Sequence, residues 1–274
     1  MILLKNLQRR LSSITSYQIT KRQKFILMAV FLTGFLLTTQ TVAESFRYEF
    51  MIFMVAATIL LAIFSLWGEL AGVKYFLLLL LPVYFVAGAS LFYFLLPVRW
   101  LTRLPYALLF GVSVYLLMLT ANIYNVAAIR TIALLRAAHA VGLLFSLVST
   151  FFLANVVFSL HPPFYLVVAG IAAIVFPLYL VGLWSYELEE FISRRVFNYA
   201  AIFTLVSAEV AFVLSFWPIA PINGALVSAT IMYVLLGLSQ LHFGDKLRRR
   251  VVYEHLLVAF AVFLVVVWTT RWGG

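Results

Sequence analysis

The chain has 274 residues, 65% of them hydrophobic and only 10% charged, with a mean hydropathy of +1.11 and a net charge of +10. Soluble domains carry about 25% charged residues and about half apolar ones, so lipid must be the main solvent of this chain. It has no cysteine, which excludes disulfides, thiolate metal sites, iron–sulfur clusters and cysteine nucleophiles.

The first 24 residues form a basic segment. Leu4, Leu7, Leu11 and Ile14 recur at helical spacing, while Lys5, Arg9 and Arg10 fall elsewhere on the wheel. Two readings fit: an amphipathic helix on an anionic leaflet, or a basic tail that only sets orientation. Lys21, Arg22 and Lys24 follow.

A helix needs about 20 mostly apolar residues to cross the hydrocarbon layer. Nine stretches qualify: Phe25–Val42, Phe50–Trp67, Tyr75–Leu96, Leu104–Tyr124, Ala137–Leu160, Phe164–Ser185, Phe197–Trp217, Asn223–Leu241 and Val251–Thr270. They are continuously apolar rather than alternating, which points to helices and not to barrel strands. The first also resembles a signal peptide, with "TVA" before Glu44, but its long head and near-spanning length favour an uncleaved helix. No connection is long enough to fold alone, so residues 25–274 are expected to form one all-α transmembrane bundle. Any activity must then lie inside the bundle or on its short loops.

Nine spans place alternate loops on alternate sides. Fifteen of the nineteen Lys and Arg then share the side of the N-terminus, including the cluster Arg248, Arg249 and Arg250. Basic loops face the cytoplasm in most membrane proteins. The expected topology is therefore N-terminus inside and C-terminus outside, in a bacterial-type inner membrane. This distribution also assigns the positive charge to anionic lipid headgroups rather than to nucleic acid. All six tryptophans fall at span ends, where the headgroup zone suits a half-apolar ring.

Polar residues within the spans mark candidate sites. The fourth span ends with Asn122 and Asn125. They either cap the helix or join Arg130, Arg136 and His139 in a polar vestibule. Arg136 and His139, three apart, share a face of the fifth span. Arg136 is placed to snorkel to the interface. His139, a turn deeper, is either a hydrogen-bonded packing residue or part of a site. Asn155 lies 16 residues further on, read as nearly whole turns, which would put it on the same interior seam as His139. Pro82 with "AGAS" and Pro177 after "AGIAA" suit close helix approach or a flexing helix.

Glu209 is the only acidic or basic residue in Phe197–Trp217. A carboxylate there costs about 3 kcal/mol on insertion scales. It is expected to face the bundle interior, either as a proton- or cation-linked group or as a hydrogen bond between helices. Glu254 is expected in the first turn of the ninth span, where the helix dipole favours an acid.

"EEFISR", Glu189 to Arg194, resembles the E-E-x-x-x-R motif of the CPBP (Abi) intramembrane metalloproteases. The resemblance covers six residues. It implies a glutamate that activates water on a histidine-held metal. That family continues with F-x-x-x-H and H-x-x-x-N, whereas here Leu238 precedes His242 and Ala259 follows His255. There is no H-E-x-x-H, no phosphate-cradling glycine loop, no span with a paired-carboxylate or bis-histidine signature, and no deep lysine for retinal. No metal or other cofactor is expected. Three functions remain. A transporter or permease-like bundle would move a small molecule or ion with Glu209 as its linked site. A membrane scaffold or assembly factor would use its polar residues only to tie helices together. An intramembrane hydrolase would use Glu189 and Glu190.

Overall fold

The computed structural model describes residues 20–38, 47–66, 74–96, 99–128 and 133–270. Among these the structure has nine helices and no strand: α1 (Lys21–Thr38), α2 (Arg47–Ser65), α3 (Lys74–Leu95), α4 (Trp100–Ala127), α5 (Leu135–Ser159), α6 (Phe164–Glu187), α7 (Arg194–Ser215), α8 (Pro221–Phe243) and α9 (Arg249–Thr269). Each coincides with one apolar stretch of the sequence. Helices α3 to α9 are long and apolar enough to cross a bilayer, and the first two are less so. In α1 the first turn carries Lys21, Arg22 and Lys24, and in α2 the apolar run Glu49–Ser65 is shorter than in the others. The proposed amphipathic segment with Arg9 and Arg10 lies outside the described residues, as do Arg130, Trp67 and Trp272.

Local chemistry explains where several helices begin. Thr20 and Gln23 close a reciprocal capping box: the Thr20 amide donates to Gln23 Oε1 (2.8 Å) and the Gln23 amide to Thr20 Oγ1 (3.4 Å). That cap starts α1 ahead of its apolar run and draws the basic residues into the helix. Ser193 caps α7 by accepting from the Val196 amide (3.1 Å), while its hydroxyl donates to Glu187 Oε2 (2.6 Å). Pro221 opens α8, where a missing amide hydrogen costs nothing. α4 begins at Trp100 rather than Leu104 and carries Pro105 inside it.

The bundle is organised around α5, which packs against α3, α4, α6 and α8. α6 packs most extensively on α7, and α1 and α2 lie against α4 and α3. α9 rests on α8 and buries only Val266 among its side chains. The "AGAS" stretch serves close approach: a methyl on Gly88 would meet Leu153 Cγ at 3.0 Å and Phe152 Cβ at 3.2 Å, so α3 and α5 touch backbone to side chain there.

Two sequence expectations are corrected. Trp184 is not a headgroup anchor. It is buried, and its Nε1–H donates to the Glu189 carbonyl (2.9 Å), tying the end of α6 to the loop that follows. Glu254 is not in a first turn, because α9 starts at Arg249. It pairs with Arg250 one turn back (3.0 Å), on an exposed surface where such a pair contributes little.

Candidate functional site

The principal cavity lies at the end of the bundle where α5 and α9 begin and α6 and α8 end. Its volume is about 900 Å³. Arg136, His139, Ala140 and Leu143 line it from α5. Gly237, Gln240 and Leu241 line it from α8 and Gly244 from that helix's C-cap, Tyr186 from α6, His255 from α9, and Lys246 from the α8–α9 loop. Both helix contributions follow the same spacing of three, four and seven residues, so one stripe of each helix faces the cavity. Among the described residues no acidic side chain lines it. Its cations therefore stand without a counter-charge in the wall.

The two imidazoles are held in defined orientations. His139 Nε2–H donates to the Ser185 carbonyl (2.8 Å), since a carbonyl only accepts. Its ring stacks on Tyr186 with centroids 3.9 Å apart and lies 5.8 Å from the Tyr124 ring. His255 Nδ1–H donates to the Val251 carbonyl (2.9 Å), and its ring stacks on Tyr233 at 4.6 Å. These bonds leave one nitrogen of each ring unused, Nδ1 of His139 and Nε2 of His255. A methyl on Gly237 would stand 3.0 Å from His255 Nε2, so the absence of a side chain at 237 makes room for that ring. Gln240 is buried and its amide donates to the Gly182 carbonyl (3.0 Å), which also accepts from Ser185 Oγ (2.8 Å). Tyr124 Oη donates to the Ala138 carbonyl (2.9 Å). These bonds fix the last turn of α6 and the first turn of α5 as a rigid back wall. Arg136 and Lys246 stand exposed at the mouth.

This cavity takes in two of the five residues that the sequence groups into a vestibule, and Arg130 lies outside the described residues. Arg136 and His139 belong to it. Asn122 and Asn125 do not line it; Asn125 is buried in α4, and the Oδ1 of half-buried Asn122 is shielded from solvent. Gln240, Lys246, Tyr186 and His255 take their place. The sequence signal for them was an even-numbered span ending and an odd-numbered span beginning on the same side as Arg136. Asn155 is buried in α5, but not on the His139 seam. Sixteen residues make about 4.4 turns, which sets the two nearly opposite each other. Because α5 is central, both of its sides are interior.

Glu209 is placed differently from the expectation. It is exposed on the outer face of α7, and no hydrogen bond or ion pair reaches it among the described residues. The inward stripe of α7 is Val196, Ala200, Phe203, Ser207, Ala211 and Leu214. Glu209 sits two positions from Ser207 and from Ala211, on the opposite side of the helix. Ser207 instead shares a hydrogen bond with Tyr179 of α6 (2.9 Å).

Glu189 and Glu190 lie on the exposed α6–α7 loop, and His242 is exposed at the end of α8. Among the described residues no group of three or more His, Asp or Glu side chains is placed to hold a metal ion. Arg248, Arg249 and Arg250 are exposed on the surface.

This architecture defines a multi-pass α-helical membrane protein. Residues 165–269 match the model of a family described as a protein of unknown function (DUF5656). The match runs from the first turn of α6 to the end of α9. It takes in the α6, α8 and α9 walls of the vestibule, and Arg136 and His139 lie outside it. No curated protein and no solved structure matches the chain.

Proposed function

We propose that this is a polytopic protein of the cytoplasmic membrane that binds an oxyanion-bearing ligand in the vestibule, with the N-terminus and the vestibule mouth on the cytoplasmic side. One observation carries the reading. Two cations and two oriented imidazoles converge on a cavity of about 900 Å³ whose wall, among the described residues, has no acid. Unpaired positive charge beside a low-dielectric wall attracts anions more strongly than it does in water. Arg136 presents a planar fork of donors and Lys246 a mobile point charge. His139 and His255 add a donor or acceptor at fixed positions. The apolar floor, Ala140, Leu143 and Leu241, suits the hydrocarbon stem of an amphiphile. The orientation rests on the bias of Lys and Arg toward one side. In this reading the vestibule, rather than Glu209, is the ligand-linked site.

The ligand chemistry is that of a phosphate or similar oxyanion, supplied either by a lipid headgroup or by a free anion. The test uses the whole protein, delipidated in a zwitterionic detergent. Binding of short-chain phosphatidate, short-chain phosphatidylcholine and inorganic phosphate is measured for wild type and for Arg136→Gln/Lys246→Gln. Phosphatidate should bind wild type at least about tenfold more tightly than the variant, as expected for losing charge-assisted contacts. Tight phosphate binding without phosphatidate binding would assign a free anion. Equal affinity of wild type and variant for every probe would refute the reading.

A further inference from the structure

We propose that the outer face of α7 centred on Glu209 is a self-association surface, where a second copy of this chain docks and the two Glu209 carboxyls hydrogen-bond to each other inside the bilayer. The first observation is depth. Glu209 lies about 12 Å along the chain axis from Trp217 and about 21 Å from Arg195, which places it within the hydrocarbon layer. The second is isolation. It is exposed, it has no partner among the described residues, and the side chains around it are apolar. Lipid tails offer neither a donor nor an acceptor, so a monomer leaves this polar group unsatisfied where that is most costly.

The shape of the face supports docking. Glu209 and Val213, one turn apart, form a ridge between two hollows of about 350 Å³ each. One hollow lies toward Phe263 of α9, with Val227 and Ile231 of α8 behind it. The other is left by the small side chain of Ala208 beside Val168 of α6. A ridge flanked by hollows is the surface on which a second helix seats its own ridges. Only 33% of the spanning part of α7 is buried within the protein, so the face is open to such a partner.

The commitment to a second copy follows from symmetry and chemistry. Two copies in one membrane share the same orientation, so the axis of a two-fold dimer runs along the membrane normal. Each residue on the axis then meets its own equivalent at the same depth. A cation at that depth would be the alternative partner, but the described lipid-facing surface of this chain offers none there. A neutral carboxyl carries both a donor and an acceptor, so two of them complete each other.

The absence of cysteine makes the test direct. Single cysteines are placed at Leu205 and Phe212, one turn either side of Glu209 on the exposed face, and at Leu109 on the lipid face of α4 as a control. Oxidative cross-linking is measured in native membranes, in the Glu209, Glu209→Gln and Glu209→Leu backgrounds. Dimer should form from Leu205→Cys and Phe212→Cys well above the Leu109→Cys level. It should persist with Gln, whose amide also donates and accepts, and fall about fivefold with Leu, as for the loss of an interhelical hydrogen bond. Cross-linking no greater than the control overturns the proposal. So does equal cross-linking with Leu, loss with Gln, or capture of a different polypeptide in place of a second copy.

Discussion

Gly142 sets the distance between α4 and α5 beside the vestibule, and its replacement by alanine is expected to destabilise the protein. On an open helix face Gly→Ala stabilises by about 1 kcal/mol. Here the added methyl would overlap the hydroxyl of Tyr124. Tyr124 is buried, and its hydroxyl donates to the Ala138 carbonyl at 2.9 Å. The ring must swing away and the bond must break. An interhelical hydrogen bond in a membrane protein is worth about 0.6 kcal/mol on average and up to about 1.7. Overpacking adds about 1–3 kcal/mol. Set against the propensity gain, the net loss is about 1–3 kcal/mol. The remaining ring atoms, Cζ at 3.5 Å and Cε2 at 3.8 Å, would make ordinary contact with the new methyl. Gly142→Ala combined with Tyr124→Phe should therefore recover about 1 kcal/mol or more over Gly142→Ala alone. Equilibrium unfolding in mixed micelles, followed by circular dichroism, measures all three variants. A single variant as stable as wild type, or a double variant no better than the single, would refute the argument that this hydroxyl sets the spacing.

Two further outcomes test the packing that supports the site. A double-mutant cycle with Tyr179→Phe and Ser207→Ala, across the α6–α7 interface, should give a coupling of about 0.6 kcal/mol, up to about 1.7, in the same unfolding assay. A coupling of zero would mean that the hydroxyl pair contributes nothing to that interface. Ser193→Ala removes both the cap of α7 and a hydrogen bond to Glu187, so it should cost about 1 kcal/mol or more. Ser193→Asp, whose side chain also caps but is repelled by Glu187, should recover only part of that loss.

The vestibule and the Glu209 face are separate in their physical logic. At the vestibule, Arg136 and Lys246 are exposed at the mouth, so these positive residues can stand without acidic partners. At Glu209 a single exposed polar group stands among apolar side chains, which is the ground for proposing a partner from a second copy. The segment matched by the family of unknown function includes the whole Glu209 face but only part of the vestibule.

The sequence by itself determined the helical class, the placement of nine apolar helices, and which loop ends carry positive charge. These follow from local causes: the length of apolar chain a bilayer demands, the need to satisfy every backbone amide within a helix, and the cost of a charge in hydrocarbon. The outward position of Glu209 was not legible: helical spacing sets it opposite Ser207 and Ala211, but packing decides which of the two faces looks inward. The error lay in assuming that an intramembrane acid must look inward. Only the tertiary structure decided which helix ends meet. The vestibule joins residues of four helices and a loop, and spacing along one helix carries no information about the face of another. His139 finds Ser185 and Tyr186 because α6 returns beside α5, and His255 enters because Gly237 leaves space for its ring. That convergence depends on packing among helices nearly uniform in hydrophobicity, where small residues and single hydrogen bonds, rather than the hydrophobic pattern, select the neighbours.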